Sequence, residues 1–388
     1  MSFGVSCDYD CESSALQVSC VSSFQLEKPE PLAQRPPPES PDSIDTLIDG
    51  MVNAPLYLHV DDGLEGPNVV YIDIPHLDLL RKFHDRSILT LGSADTSPVY
   101  RDVLTRTACR HSFVLHAVLR FALMHDRYLY DPIETKASAA ESFHAYHAAA
   151  LFSKRLAGPI EEEVKDSLWG CAALMGAMSF ASIEATSPQE TWPLKSPEIT
   201  DLDWLKMSDG KKEVWRLVDP LRETSAFRPA VQVEHGKRQE GIPSRPMDPQ
   251  LDKLFPFFTK LYNLDQPFAD YENDPYHKAA SILEKLIPLD CNHSTVMWFL
   301  SFLGHMDPEY RRLLEAKDPS ALLLLAWWHA KMIPYNSWWV SRRGLLECQA
   351  ICISLDKTLP PEHEMRRLLG FPRSASGLSR ASFAEEWS

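Results

Sequence analysis

Residues 318–355 read DPSALLLLAWWHAKMIPYNSWWVSRRGLLECQAICISL, and this stretch decides the fold class. Asp318 is an N-cap residue type and Pro319 suits the first helical position, where its missing N–H costs nothing. From Leu322 to Trp328 the chain is apolar almost all round, so the spacing predicts a helix buried on more than one side. Pro334 ends it. A second helix is predicted from about Ser337, carrying Trp338, Trp339, Leu345, Leu346, Cys348, Ile351 and Leu355 at spacings closer to 3.6 than to 2. Two tryptophan pairs between two apolar helices mark the centre of a helical core, and no catalytic group stands out among them.

The rest of the chain reads the same way. Leu77, Leu80, Phe83, Ile88 and Leu91 mark one helix, residues 113–129 a second and residues 137–156 a third. Val164, Leu168, Cys171, Met175, Met178 and Ser182 recur at helical spacings on a fourth. Residues 213–227, 251–261, 276–287, 294–304 and 308–316 carry further helical patterns, whereas 187–210 and 228–249 read as loops, the latter mobile. Val69 to Ile74 suits a short strand that Pro75 ends. No repeat of 33–34 residues of the kind helical arrays show is present. The expectation is an all-α, irregular multi-helix domain over residues 69–371.

With 388 residues, 44% of them hydrophobic, the chain can bury a large core, and 15 Gly against 30 Pro speaks against a Gly-rich nucleotide-binding fold. Residues 1–50 hold Lys28 and Arg35 against nine acidic residues, a local charge of −7, and include the run PEPLAQRPPPESPDS. The acidic, Pro-rich linker over 21–68 and the tail over 372–388 are therefore expected to be disordered. The net charge of −15 opposes sequence-independent attraction to phosphate. No apolar run is long enough to span a bilayer and no basic, apolar leader follows Met1, so an intracellular protein with reduced cysteines is expected.

Enzyme motifs fail on inspection, and a non-enzyme is expected. Asp61-Asp62-Gly63-Leu64-Glu65 is similar to the Asp-rich magnesium motif of all-α terpenoid synthases but sits in a Gly- and Pro-flanked loop. After Asn273-Asp274 the second motif of those enzymes is not completed. Gly-x-Ser-x-Gly, Walker, Gly-x-Gly-x-x-Gly and His-Glu-x-x-His patterns do not occur. His144 and His147 form an i, i+3 pair of metal-ligand type without carboxylates at matching spacing, which reads as a solvated or core-edge pair.

Four segments in order carry a resemblance: Asp73 through His84 (DIPHLDLLRKFH), Ile88 through Leu91 (ILTL), Ala108 through Leu119 (ACRHSFVLHAVL) and Tyr146 through Phe152 (YHAAALF), followed by the apolar helix and Trp-Trp pair. Over residues 72–355 the chain resembles the regulatory domain of fungal zinc-cluster (six-cysteine) transcription factors, in particular the sterol uptake control proteins. The resemblance implies an RNA polymerase II transcription regulator that acts in the nucleus and can shuttle from the cytoplasm, whose helical domain senses a small apolar, sterol-like ligand. Partners implied are the transcription machinery and a second copy of the chain as a homodimer. In that family six cysteines hold two zinc ions, and Gly4-Val5-Ser6-Cys7-Asp8-Tyr9 resembles the end of such a cluster, making residues 1–20 its remnant and Cys7 the one candidate zinc ligand. The other five cysteines and the basic helix are then expected ahead of residue 1. Cys11 and Cys20 do not restore the spacing, so no zinc is expected on this chain as it stands, and promoter DNA is a partner only where the full cluster is present.

A sensing pocket needs apolar walls with a few orienting polar groups. The residues nominated for it are Met175, Met178 and Phe180 on one helix, with Trp327, Trp328, Met332, Trp338 and Trp339 from the C-terminal pair. Such stripes more often form core than pocket. The other reading of the chain is a non-catalytic helical interaction scaffold with no ligand.

Overall fold

A computed structural model describes residues 56–60, 68–239, 247–265 and 274–378. Fourteen α-helices follow a two-stranded antiparallel hairpin among these residues: β1 (Leu56–Val60) and β2 (Asn68–Ile72), paired in a register that sets Leu56 opposite Ile72. The helical class expected from the sequence is what the chain adopts. The strand anticipated near Val69 is β2, but its partner β1 falls inside the 21–68 segment assigned to linker, a correction. Residues 1–20 and most of that linker lie outside the described residues.

The helices are α1 (Ile74–Lys82), α2 (Ser97–Ala108), α3 (Ser112–Tyr130), α4 (Ala139–Ala157), α5 (Glu162–Ala181), α6 (Asp203–Val218) and α7 (Arg228–Gln239). They continue as α8 (Pro249–Leu261), α9 (His277–Leu286), α10 (Val296–Gly304), α11 (Pro308–Glu315), α12 (Pro319–Met332), α13 (Ser341–Thr358) and α14 (Met365–Ala375). Between α1 and α2 the chain tightens into a π turn, Phe83–Ser87, and a 3-10 turn, Ile88–Thr90, so the helix expected through Leu91 is three short pieces.

α12 is the central element: every residue from Ala321 to Met332 is buried, as an all-round apolar helix requires. The Asp318 carboxylate accepts from the Ala321 N–H at 2.9 Å and from the Tyr276 hydroxyl at 2.9 Å. Tyr262 and Tyr310 donate to the Ser320 and Ala321 carbonyls at 2.9 and 3.1 Å, so three tyrosines fasten the start of this helix. Lys331 is buried in the same helix and donates to the Ile287 carbonyl at 2.8 Å; burial pulls its ammonium pKa down.

α3 and α4 fold back on one another through an eight-residue connection. Ser138 caps α4 by accepting from the Glu141 N–H, and the buried Glu141 carboxylate takes two bonds from Arg127, at 2.8 and 3.0 Å. α2 and α5 approach closely where Gly170 faces Leu104: a Cβ there would stand 2.6 Å from Leu104 Cδ2.

Several boundaries differ from the sequence expectation. α2 was not anticipated, because its apolar positions are interleaved with Arg101, Asp102, Thr105 and Arg106. α6 begins at Asp203, inside the expected loop, and ends at Val218, where Asp219 takes φ 40°. The expected mobile loop over 228–249 contains α7. Trp338 and Trp339 sit in the turn ahead of α13 rather than on it. Pro372 lies inside α14, so order continues past the 371/372 boundary drawn for a disordered tail. No helix among the described residues is long and apolar enough to cross a membrane.

Candidate functional site

A cavity of about 120 Å³ lies among α2, α5, α6, α7 and α10. α5 supplies Ala173, Gly176, Ala177 and Phe180, one face at helical spacing. Trp204, Ser208 and Lys211 come from α6, and Met297, Leu300 and Leu303 from α10. Tyr100 of α2, Glu234 of α7 and Trp339 complete it, with Leu91 and Gly92 from the turn before α2. The deep side is buried and apolar or aromatic; half-exposed Ser208, Lys211 and Glu234 put both charge signs and a hydroxyl on the wall. Gly92 has φ +78°, the left-handed region that glycine takes without strain, and a Cβ there would stand 2.9 Å from Thr96 Oγ1.

Of the residues nominated from sequence, Phe180 and Trp339 line this cavity and the other six do not. Met175 is half-buried against the core, and Met178 and Met332 are fully buried. Trp327 packs on Phe258 and Phe371 and donates its N–H to the Leu368 carbonyl at 3.0 Å. Trp328 is stacked between Phe302 and Trp204 and donates to the Phe299 carbonyl at 2.8 Å. Trp338 stacks on His125 and donates to Thr90 Oγ1 at 2.8 Å. These are core positions, as large apolar residues at helical spacing usually are.

The tryptophan pair nevertheless shapes the site. Trp339 donates to the Thr90 carbonyl at 3.1 Å, so both tryptophans grip the 3-10 turn that delivers Leu91 and Gly92 to the cavity wall. Tyr100, Trp204, Met297 and Leu300 were missed. A usable signal was the small-residue face Ala173, Gly176, Ala177, since small side chains on a buried helix leave room beside it.

A buried charged network stands behind two of the wall residues. The Arg343 guanidinium lies 5.6 Å from the Phe180 ring and 5.4 Å from that of Trp204. It donates to the Phe180 carbonyl at 2.7 Å and the Ser182 carbonyl at 2.9 Å, satisfying the end of α5, and to Glu347 Oε1 at 2.5 Å. Glu347 Oε2 meets His329 Nε2 at 3.1 Å. Burial pushes the Glu347 carboxyl upward, but Arg343 and His329 outweigh it and hold the group below its usual range. A carboxylate held ionised against a guanidinium, with no nucleophile beside it, is a structural tie between α5, α12 and α13.

A second cluster joins α1, α3 and α4. His116 and His144 face each other with Nδ1 atoms 2.8 Å apart; His147 stacks on His116 at 5.1 Å and His76 meets His144 edge-on at 5.7 Å. Among the described residues no three His, Cys, Asp or Glu side chains are placed to hold a metal ion. Cys109, Cys171, Cys291, Cys348 and Cys352 form no disulfide, and the nominated ligand Cys7 lies outside the described residues. Burial, then the neighbouring imidazoles, lowers His116 to about 3 and His144 to about 4. Burial, then Arg86, lowers His125 to about 4.

These shifts set the acid behaviour. A histidine with a depressed folded pKa is neutral in the fold and takes up its proton more readily when unfolded. Its stability contribution is therefore present above the unfolded value near 6.5 and lost as pH falls toward the folded values. The unfolding free energy measured in urea should be level above pH 6.5 and fall between pH 6.5 and 4, by up to about 3 kcal/mol for each such histidine. A His116→Gln, His144→Gln variant should show a flatter profile; an unchanged one would assign the acid loss to other groups.

Comparison with protein-family models, with curated proteins and with solved structures gave no match to this chain. The class of protein defined by fold and site is thus an all-α domain with an aromatic-walled cavity.

Proposed function

We propose that this chain is the regulatory part of a transcription regulator of the fungal zinc-cluster type, and that its cavity is the sensing site for a small apolar ligand. The observation that carries the reading is the cavity itself: a space beside the packed core, walled by Phe180, Trp204, Tyr100 and Trp339 with polar groups on one side. Its location gives it a readout, because Phe180 and Trp204 both rest on Arg343, which ties α5 to α13. DNA contact, zinc and nuclear action belong to the part of this reading that rests on the resemblance around Cys7.

Size constrains the ligand. A cavity of about 120 Å³ is below the roughly 300–1,000 Å³ of drug-sized pockets and close to the roughly 150 Å³ that admits benzene. It takes one ring of a sterol-like molecule, and the remainder of such a ligand would extend beyond it. Titration with a 3β-hydroxysterol, and with cyclohexanol as the ring-sized probe, followed by tryptophan fluorescence, tests this. Saturable quenching at one site is expected.

Gly176→Leu separates cavity binding from surface adsorption. A Cβ at Gly176 meets nothing within 4 Å and Gly176 lines the cavity, so the new side chain starts in open space beside it. Removing a mid-helix glycine contributes about 0.5–1 kcal/mol, so the variant should unfold no earlier than the parent while its affinity for either probe falls at least tenfold. Equal affinity in parent and variant, or no saturable response to either probe, would leave the scaffold reading as the better one.

A further inference from the structure

Trp204 differs from four other tryptophans of the core in what its indole N–H meets. Trp327, Trp328, Trp338 and Trp339 each donate to a carbonyl or hydroxyl oxygen, at distances between 2.8 and 3.1 Å. Trp204 is 4% exposed and lines the cavity, and its Nε1 is buried without a hydrogen-bond partner. Its neighbours account for the lack. Phe180 meets the indole edge-on at 4.9 Å, Trp328 stacks on it at 6.2 Å and the Arg343 guanidinium lies over its ring, so none of the three offers an acceptor. Trp169 Nε1 also lacks a partner, but Trp169 is not part of the cavity wall and carries the Lys211 ammonium over its ring at 5.2 Å. A donor buried without an acceptor is costly, and buried indole N–H groups usually find one.

The rest of α6 continues the pattern. Trp204, Ser208 and Lys211 recur at i, i+4 and i+7, which sets an indole N–H, a hydroxyl and an ammonium on one stripe of the helix. α5 contributes Ala173, Gly176, Ala177 and Phe180, without a polar side-chain atom among them. One wall is therefore rich in donors and another is wholly apolar.

We infer that the ligand of this cavity is a cyclic carbonyl compound, with its ring inside the aromatic enclosure and its oxygen accepting from Trp204 Nε1–H. The inference rests on the reading of the cavity as a ligand site, and names the group the ligand carries there. A carbonyl oxygen accepts without bringing a proton of its own. A hydroxyl brings one that the side chains of Phe180, Met297, Leu300 and Leu303 cannot take. The competing occupant is a trapped water between Trp204 Nε1 and His329 Nδ1, which is also buried without a partner on a ring 6.0 Å away.

The test compares cyclohexanone with methylenecyclohexane, the same ring with a CH2 group in place of the oxygen. Each is titrated into the full chain, ¹⁵N-labelled, and followed by tryptophan fluorescence and by the indole N–H resonances; the Trp204 signal is the one missing from Trp204→Phe. A wholly apolar cavity favours methylenecyclohexane, which leaves water more readily than the ketone. Cyclohexanone is instead expected to bind about fivefold or more tightly than its isostere and to move the Trp204 N–H resonance downfield, a shift the isostere does not produce. Trp204→Phe should reverse the order of affinities, and the order in the wild type stands on its own should that variant fail to fold. Methylenecyclohexane binding as tightly as cyclohexanone, or more tightly, overturns the inference, leaves the cavity reading in place and gives the N–H to the trapped water. Saturable binding of neither compound overturns the cavity reading and this inference together.

Discussion

Glu347→Ala is expected to lower the stability of the folded chain by about 3–5 kcal/mol, the range for removing one partner of a buried ion pair. Glu347 is 1% exposed and Arg343 8%, so the guanidinium left behind has little water to turn to. His329, fully buried, loses its carboxylate partner in the same step. Urea unfolding of Glu347→Ala measures the loss directly. Replacing both members with apolar residues of similar length, Arg343→Met with Glu347→Leu, should recover more than half of it, since no uncompensated charge then remains. A single-variant loss under about 1 kcal/mol would mean that the network is open to water in solution. Because Arg343 also holds the Phe180 and Ser182 carbonyls, the single variant should weaken ligand binding in the cavity by loosening its α5 wall.

Trp328→Ala has a comparable expected effect, about 3–5 kcal/mol, by a different mechanism. The indole is wholly buried, stacked with ring centroids 5.4 Å from Phe302 and 6.2 Å from Trp204. Truncation leaves a void in the middle of α12's contacts and removes the indole hydrogen bond to the Phe299 carbonyl. It also releases Trp204, so the aromatic wall of the cavity loses its support. Trp328→Phe keeps most of the packing and should lose markedly less. Guanidinium unfolding of both variants tests the ordering; equal losses would put the effect on the Phe299 hydrogen bond rather than on packing.

Legibility in the sequence followed local chemistry. Asp318 and Pro319 announced the start of α12, and the unbroken apolar run behind them announced its burial, because both signals depend on residues within one helix. α2 and α7 were unreadable for the complementary reason. Their charged and polar residues blur the period, and their burial comes from partners distant in sequence: Gly170 against Leu104 on α2, and Phe227 at 5.0 Å from Tyr100 leading into α7. At Trp338 and Trp339 apolar periodicity suggested helix, but both indoles donate to Thr90, some 250 positions upstream, and that long-range grip holds the chain in a turn. The nominated pocket shared this weakness. Composition singled out large apolar side chains, whereas a cavity forms where side chains are small, as at Ala173, Gly176 and Ala177.

By itself, then, the sequence determined that this protein is helical, where its most apolar helices lie and that its centre is built on tryptophan, since propensity, capping and amphipathic period are properties of neighbouring residues. Tertiary structure alone decided which of those tryptophans face a cavity, that Arg343, Glu347 and His329 close into one network, and that four histidines from three helices meet. Those outcomes depend on how helices cross, and crossing is set by shape and burial between residues the chain keeps far apart.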